Sequence, residues 1–242
     1  LERIVTISSN ITAEFQPKQT QVVNAVKDAI AQIPQQDGVT IGFAGEDAEM
    51  LDAINFLGRS LVISIFIILL ILVAQFNSIG KTLIIMTEVV FSVIGVLLGM
   101  AIFNMDFVVI MMGVGIVALA GIVVRNGILL VEFTDKLRHD GMEVREAIIE
   151  AGRIRMTPVL LTATAAILGL LPLAIGFNID FASLLSTGDP KIFLGGDSVA
   201  FWGPLSWTII FGLGFATFIT LVILPAMYLV GHNVKHWWAE KF

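Results

Sequence analysis

Residues 60–77 read SLVISIFIILLILVAQFN, and this run without a single charge decides the class of fold. Arg59 and Lys81 bracket it, so that 21 uncharged residues separate two basic ones. A helix of about 20 apolar residues spans the hydrocarbon core of a bilayer, which is about 30 Å thick. The run therefore predicts a membrane-spanning helix.

Four further apolar runs are found in the same way, by locating the stretches between charged residues. The whole chain is 57% apolar and 14% charged, whereas soluble domains are about 45–50% apolar and about 25% charged. These values exclude a soluble enzyme and predict a mainly α, polytopic membrane protein. The five predicted transmembrane helices cover residues 60–77, 82–103, 107–131, 158–177 and 206–231.

Basic residues are unevenly distributed between the two sides of these spans. Only Lys191 lies in the loops of one side, whereas eight Lys and Arg residues lie on the other side. Cytoplasmic loops are rich in Lys and Arg, so we expect the basic side and the C-terminus in the cytoplasm, and the N-terminal segment outside. The eight residues are Lys81, Lys136, Arg138, Arg145, Arg153, Arg155, Lys235 and Lys241.

Two segments outside the spans have patterns of their own. Residues 1–45 predict a β-α-β unit, which is too small to bury a core alone and which we interpret as part of a larger α/β domain. The membrane domain then covers residues 46–242. Within it, apolar residues at helical spacing in 135–156 predict an amphipathic helix on the cytoplasmic interface, with a solvated linker helix as the alternative.

Motifs of enzymes, metal sites and nucleic-acid binding are missing from the sequence. It contains no HExxH, no GxSxG and no glycine-rich phosphate loop, and it has no cysteine. The net charge is −6 and the basic residues form no stripe that would neutralise phosphates. We therefore expect no metal, no cofactor and no nucleic-acid partner.

Polar residues inside the spans are the best indicators of function, because charge is costly in lipid. Seven residues advance a helix by about 700°, close to two full turns, so that Arg155 shares a face with Thr162 and Arg125 shares one with Glu132. The polar faces of the third and fourth spans can therefore meet. The polar residues singled out are Glu88, Arg125, Asn126, Glu132, Arg155 and Thr162.

Several of these residues also have a purely structural interpretation. Arg125 lies about 9 Å from the middle of its predicted span, so that its side chain can extend to the interface. Glu88 can be a protonated or water-lined structural acid, and Arg155 an anchor at the basic side. Thr162 can bond to a carbonyl one turn back, whereas Thr164, about 200° away, is expected to pack against apolar groups.

Three motifs in the second half of the chain closely resemble the resistance-nodulation-division (RND) family of efflux pumps. They are GIVVRNGILLVEF at 121–133, EAIIEAGRIRMTPVLLT at 146–162 and LGLLPL at 168–173. The chain resembles the C-terminal part of a hydrophobe/amphiphile exporter of Gram-negative inner membranes. In this comparison, residues 1–45 resemble the end of a periplasmic porter subdomain, and the five spans resemble helices eight to twelve of twelve.

The resemblance implies a secondary active transporter, not an enzyme, that exports hydrophobic or amphiphilic drugs in exchange for protons. It also implies a homotrimer that works with a periplasmic adaptor protein and an outer-membrane channel. The family's proton relay places a Lys on the tenth helix, opposite two Asp, and an Arg and a Thr on the eleventh. These three positions fall on Arg125, Arg155 and Thr162, with Asn126, Glu132 and Glu88 as candidate neighbours.

Arginine at position 125 departs from the family pattern, because a guanidinium keeps its proton and can act only as a countercharge. Two alternatives stay open at the level of sequence. The first is the heavy-metal branch of the same family, against which the Arg125-Asn126 pair argues. The second is a membrane scaffold or lipid-handling relative, which a buried Arg without an acidic partner would favour.

The predicted orientation can be tested by cysteine labelling, since the chain has no native cysteine. A Ser183→Cys variant should react in intact cells with a thiol reagent that does not cross membranes, because loop 178–205 is expected outside. An Asp140→Cys variant should react only after the cells are opened. Labelling of Asp140→Cys in intact cells would contradict the orientation.

Overall fold

The computed structural model describes residues 46–241 and, before them, positions 5, 7, 9, 22, 25, 26 and 28–30. The chain divides into two units between Gly45 and Glu46. In the first unit, positions 22, 25, 26 and 28–30 are helical, and positions 5, 7 and 9 have no regular secondary structure. The second predicted strand, at 39–43, lies outside the described residues.

Five long helices make up the described part of the second unit, and each is long and apolar enough to cross a membrane. The prediction of a mainly α, polytopic protein with five spans is therefore confirmed. The helices are α1 (Glu46–Phe76), α2 (Ile79–Ile102), α3 (Val109–His139), α4 (Val144–Ile175) and α6 (Asp197–Lys241). Between α4 and α6 lie the short helix α5 (Phe181–Thr187) and two antiparallel strands, β1 (Phe177–Asn178) and β2 (Phe193–Leu194).

The structure differs from the sequence prediction at 135–156, where no separate interfacial helix forms. The first part of this segment is the end of α3 and the rest is the start of α4. Gly141 makes the turn between them with a φ of +94°, which glycine adopts without steric cost. Within this apolar stripe, Ile148 and Ala151 are buried in the protein core, whereas Ile154 is 46% exposed.

Helix α6 contacts α2, α3 and α4, and so holds these helices together. Small residues permit this close packing. A Cβ added at Gly95 or Gly99 of α2 would collide with the side chains of Phe215 and Phe211 on α6. A Cβ at Gly212 of α6 would collide with Leu119 of α3 in the same way. At each of these three glycines, the backbone of one helix therefore packs directly against a side chain of the neighbouring helix.

A group of polar side chains, here called the polar cluster, ties α2, α3 and α6 together at one end of the bundle. Lys81 Nζ lies 2.6 Å from Asp135 Oδ2, and the Tyr228 hydroxyl donates to Asp135 Oδ1 at 2.5 Å. Arg138 donates to the same hydroxyl at 3.2 Å. The Lys81 and Asp135 side chains are 30% and 27% exposed, so the pair lies at the boundary between core and solvent.

Replacement of Asp135 by alanine should destabilise the bundle by about 1–3 kcal/mol, because it removes one partner each from Lys81 and Tyr228. The measurement is the unfolding free energy of the full-length protein in detergent. Arg153→Ala is the matched control, since its contact with Glu150 is 3.9 Å long and its side chain is 81% exposed. It should change stability by no more than about 0.5 kcal/mol, and equal effects of both variants would contradict the role of the polar cluster.

Candidate functional site

Arg125 of α3 and Arg155 of α4 have no carboxylate partner among the described residues. Arg125, Glu132 and Thr162 are exposed, whereas Asn126 is buried. Within the described part of the chain, ion pairs join Lys81 to Asp135 and Arg153 to Glu150, and neither involves Arg125 or Arg155. Arg125 and Arg155 form a cationic face on α3 and α4 and, among the described residues, are not ion-paired, although Glu132 lies two turns from Arg125 on the same side of α3.

Arg155 is the residue that connects the two helices. Its guanidinium carbon lies 4.6 Å from the centre of the Phe133 ring on α3, which is a cation–π contact. The Nε atom of Arg155 is buried and has no hydrogen-bond partner among the described residues. An unpaired buried donor is costly, and this geometry leaves Arg155 with an unused donor group.

Thr162 makes the local hydrogen bond that helical threonines favour. Its hydroxyl donates to the Val159 carbonyl at 3.1 Å. Thr164, which is expected to pack against apolar groups, is exposed as well, and Ala163 between the two threonines is buried. Exposure therefore does not distinguish the two threonines, whereas the shared face with Arg155 does.

The contact between Arg155 and Phe133 fixes the relative depth of the two polar helices. Arg125 lies eight residues before Phe133, about 12 Å along α3. Thr162 lies seven residues after Arg155, about 10.5 Å along α4. Since consecutive long helices joined by a tight turn run in opposite directions, Arg125 and Thr162 lie at a similar depth.

Arg125 is also far from the end of the bundle that carries the polar cluster. Ten residues separate it from Asp135, which corresponds to about 15 Å along α3. This distance exceeds the reach of an arginine side chain, so Arg125 does not belong to the polar cluster.

Glu88 lies elsewhere in the bundle. It is 1% exposed on α2 and packs against the backbone of Gly127 on α3 and beside Thr220 on α6. Gly127 is two residues from Arg125, about 200° around the helix, so Glu88 and Arg125 belong to different faces of α3. The side chain of Arg155 on α4 thus contacts α3 at Phe133, whereas Glu88 and Arg125 do not lie together.

Sequence reasoning missed three features of this arrangement. Phe133 carries no charge and gave no signal as a partner of Arg155, and Thr220 lies in the fifth span, far along the chain from Glu88. The polar cluster could have been suspected, because Tyr228 is the single tyrosine of the chain and lies within an apolar run. Among the described residues, no group of three or more His, Asp or Glu could hold a metal ion.

Comparisons with known proteins identify the family of the chain. The model of the AcrB/AcrD/AcrF family matches residues 1–232. The chain is 33% identical over 211 residues to the swarming motility protein SwrC of Bacillus subtilis (strain 168), which covers 87% of this chain and 18% of SwrC. It is 36% identical over 137 residues to the multidrug resistance protein MdtC of Erwinia tasmaniensis, covering 56% of this chain and 12% of MdtC.

The fold is also similar to a solved structure. The crystal structure of a heavy metal efflux pump superimposes with a TM-score of 0.67 at 24% identity, over 88% of this chain and 20% of that protein. The chain spans about a fifth or less of the length of these relatives. With a family model that covers almost all of its residues, the chain belongs to the AcrB/AcrD/AcrF family of RND efflux transporters.

Proposed function

We propose that the chain forms the C-terminal membrane helices of a proton-driven pump that exports hydrophobic or amphiphilic compounds. The observation that carries the proposal is the cationic face formed by Arg125 of α3 and Arg155 of α4, for which no ion pair is present among the described residues. Within a membrane-spanning helix, a charge is costly unless it meets an opposite charge. The face therefore suits a pair of carboxylates supplied by another helix of the same transporter.

The chemistry of the face fits a proton-coupled switch. Arg125 keeps its charge at every pH of the cell, so that it acts as a countercharge and not as a proton carrier. When the facing acids are ionised they attract Arg125, and when they are protonated the attraction is lost. Thr162, at a similar depth, has a hydroxyl that both donates and accepts and can pass a proton by way of water.

The wider assembly is part of the proposal. We infer an inner-membrane homotrimer that works with a periplasmic adaptor protein and an outer-membrane channel, with the N-terminal segment periplasmic and the C-terminus cytoplasmic. Membership of the RND family and the similarity to MdtC, which is named a multidrug resistance protein, support this inference. The excess of basic residues at one end of the spans supports the orientation.

A heavy-metal pump is the second candidate function. Its support is the fold similarity to a heavy metal efflux pump. Against it, the described helices contain no cluster of metal-binding side chains. Resistance to drugs and to divalent metal ions, measured in the same host strain, discriminates between the two substrates.

Replacement of Arg125 should show whether it is a countercharge. In the full-length transporter, Arg125→Ala should reduce drug resistance to that of cells without the pump, because the facing acids would lose their cation and bind protons at a different pH. Arg125→Lys should retain most of the activity, since the positive charge is kept. The measurement is drug efflux at equal expression, and full efflux by Arg125→Ala would show that the residue is dispensable.

Thr162 and Thr164 form a matched pair on one helix. Thr162→Ala should strongly lower proton-coupled efflux, whereas Thr162→Ser should spare most of it, because serine keeps the hydroxyl. Thr164→Ala should have little effect, since Thr164 lies about 200° away from the Arg155 face. Efflux in vesicles with an imposed pH gradient gives the comparison. Equal losses in both alanine variants would assign Thr162 only its hydrogen bond to Val159.

A further inference from the structure

Glu88 is an acid in the interior of the bundle that the proposed mechanism does not use. Its side chain is 1% exposed, and neither of its carboxylate oxygens has a hydrogen-bond partner among the described residues. A Cβ added at Gly127 would lie only 2.5 Å from Glu88 Oε2, so that the carboxyl group rests on the backbone of α3. Because Gly127 has no side chain, the carboxyl group of Glu88 can occupy this space.

Thr220 of α6 is the second unpartnered group at the same place. It is 1% exposed, its hydroxyl has no hydrogen-bond partner among the described residues, and it lies beside the carboxyl group of Glu88. A threonine in a helix ordinarily bonds to a carbonyl of the preceding turn, as Thr217 does with Leu213. Thr220 thus retains both its donor and its acceptor for Glu88.

An apolar layer separates these two residues from the polar cluster. On each of the three helices, one buried apolar residue lies between the two levels: Ile85 on α2, Leu130 on α3 and Leu224 on α6. None of them is more than 4% exposed. The layer keeps water from Glu88 on this side.

The groups that face Glu88 are uncharged. Helix α3 presents Gly127 and helix α6 presents Thr220, and Glu88 forms no ion pair within the described part of the chain. A carboxylate here would be an unpaired charge in a dry interior, whereas a protonated carboxyl group is neutral and gains one donor. Among the described residues, the side-chain acceptor beside this donor is the Thr220 hydroxyl oxygen.

We propose that Glu88 is a proton-binding site inside the membrane, where its carboxyl group holds a proton that it donates to Thr220. The site lies on the opposite face of α3 from Arg125. It is thus separate from the cationic face, and it does not depend on the transport function proposed above.

Infrared spectroscopy of the full-length protein in lipid vesicles tests the proposal, because a protonated carboxylic acid has a carbonyl stretching band that a carboxylate lacks. The spectrum at neutral pH should contain such a band, and Glu88→Gln, which keeps the shape and the neutral charge, should remove it. Thr220→Val should retain the band and move it to higher frequency, since the hydrogen bond is lost. Glu132→Gln, at an exposed acid of the same bundle, should leave the band unchanged.

Each result decides a part of the proposal. If the spectra of the wild type and Glu88→Gln coincide in the carbonyl region, Glu88 is ionised and the proton site is rejected. If Thr220→Val leaves the frequency unchanged, the shared proton is rejected. Thr220→Val also tests the site if Glu88→Gln fails to fold, because it keeps the acid. Neither outcome depends on drug efflux. A failure of the proton-site proposal can therefore be distinguished from a failure of the transport proposal.

Discussion

The cost of an unpaired charge in a dry, apolar interior is the constraint on which this structure depends. The chain meets it in three ways. At the end of the bundle, Lys81 and Asp135 form an ion pair at the boundary with solvent, supported by Tyr228. On the α3–α4 face, Arg155 lies against an aromatic ring and Arg125 is exposed. In the interior, Glu88 lies beside two uncharged residues, Gly127 and Thr220.

Close helix packing makes room for Glu88 in the interior of the bundle. Helix α6 approaches α2 and α3 at glycines, and the aromatic side chains of Phe211 and Phe215 fill the space above Gly99 and Gly95. The same principle operates at Gly127, where the space is filled by a carboxyl group instead of a ring. Lipid tails are as apolar as the side chains, so that this packing, and not the hydrophobic effect, holds the helices together.

The sequence predicts the five spans because charge is nearly absent from them, and it predicts their faces because helical periodicity is regular. It misplaces the helix ends, since residues 135–139 belong to α3 and residues 144–156 belong to α4. A search for apolar runs locates the uncharged part of a helix and cannot locate ends that carry charged residues. It places Arg155 and Thr162 on one face of α4 by arithmetic alone. It cannot place Phe133 beneath Arg155 or Thr220 beside Glu88, because those contacts depend on the rotation of one helix against another.

Helix α3 has polar functions on opposite sides, and this has a mechanical consequence. Arg125 and Gly127 are two residues apart, so that one faces the cationic side and the other supports Glu88. Gly127 leaves the carboxyl group no spare room, which means that α3 cannot shift toward Glu88 without displacing it. A helix moves as a rigid unit over so short a stretch. Any displacement of α3 toward Glu88 therefore alters the space that its carboxyl group occupies, and a neutral carboxyl group tolerates such a change better than an ion pair with fixed geometry would.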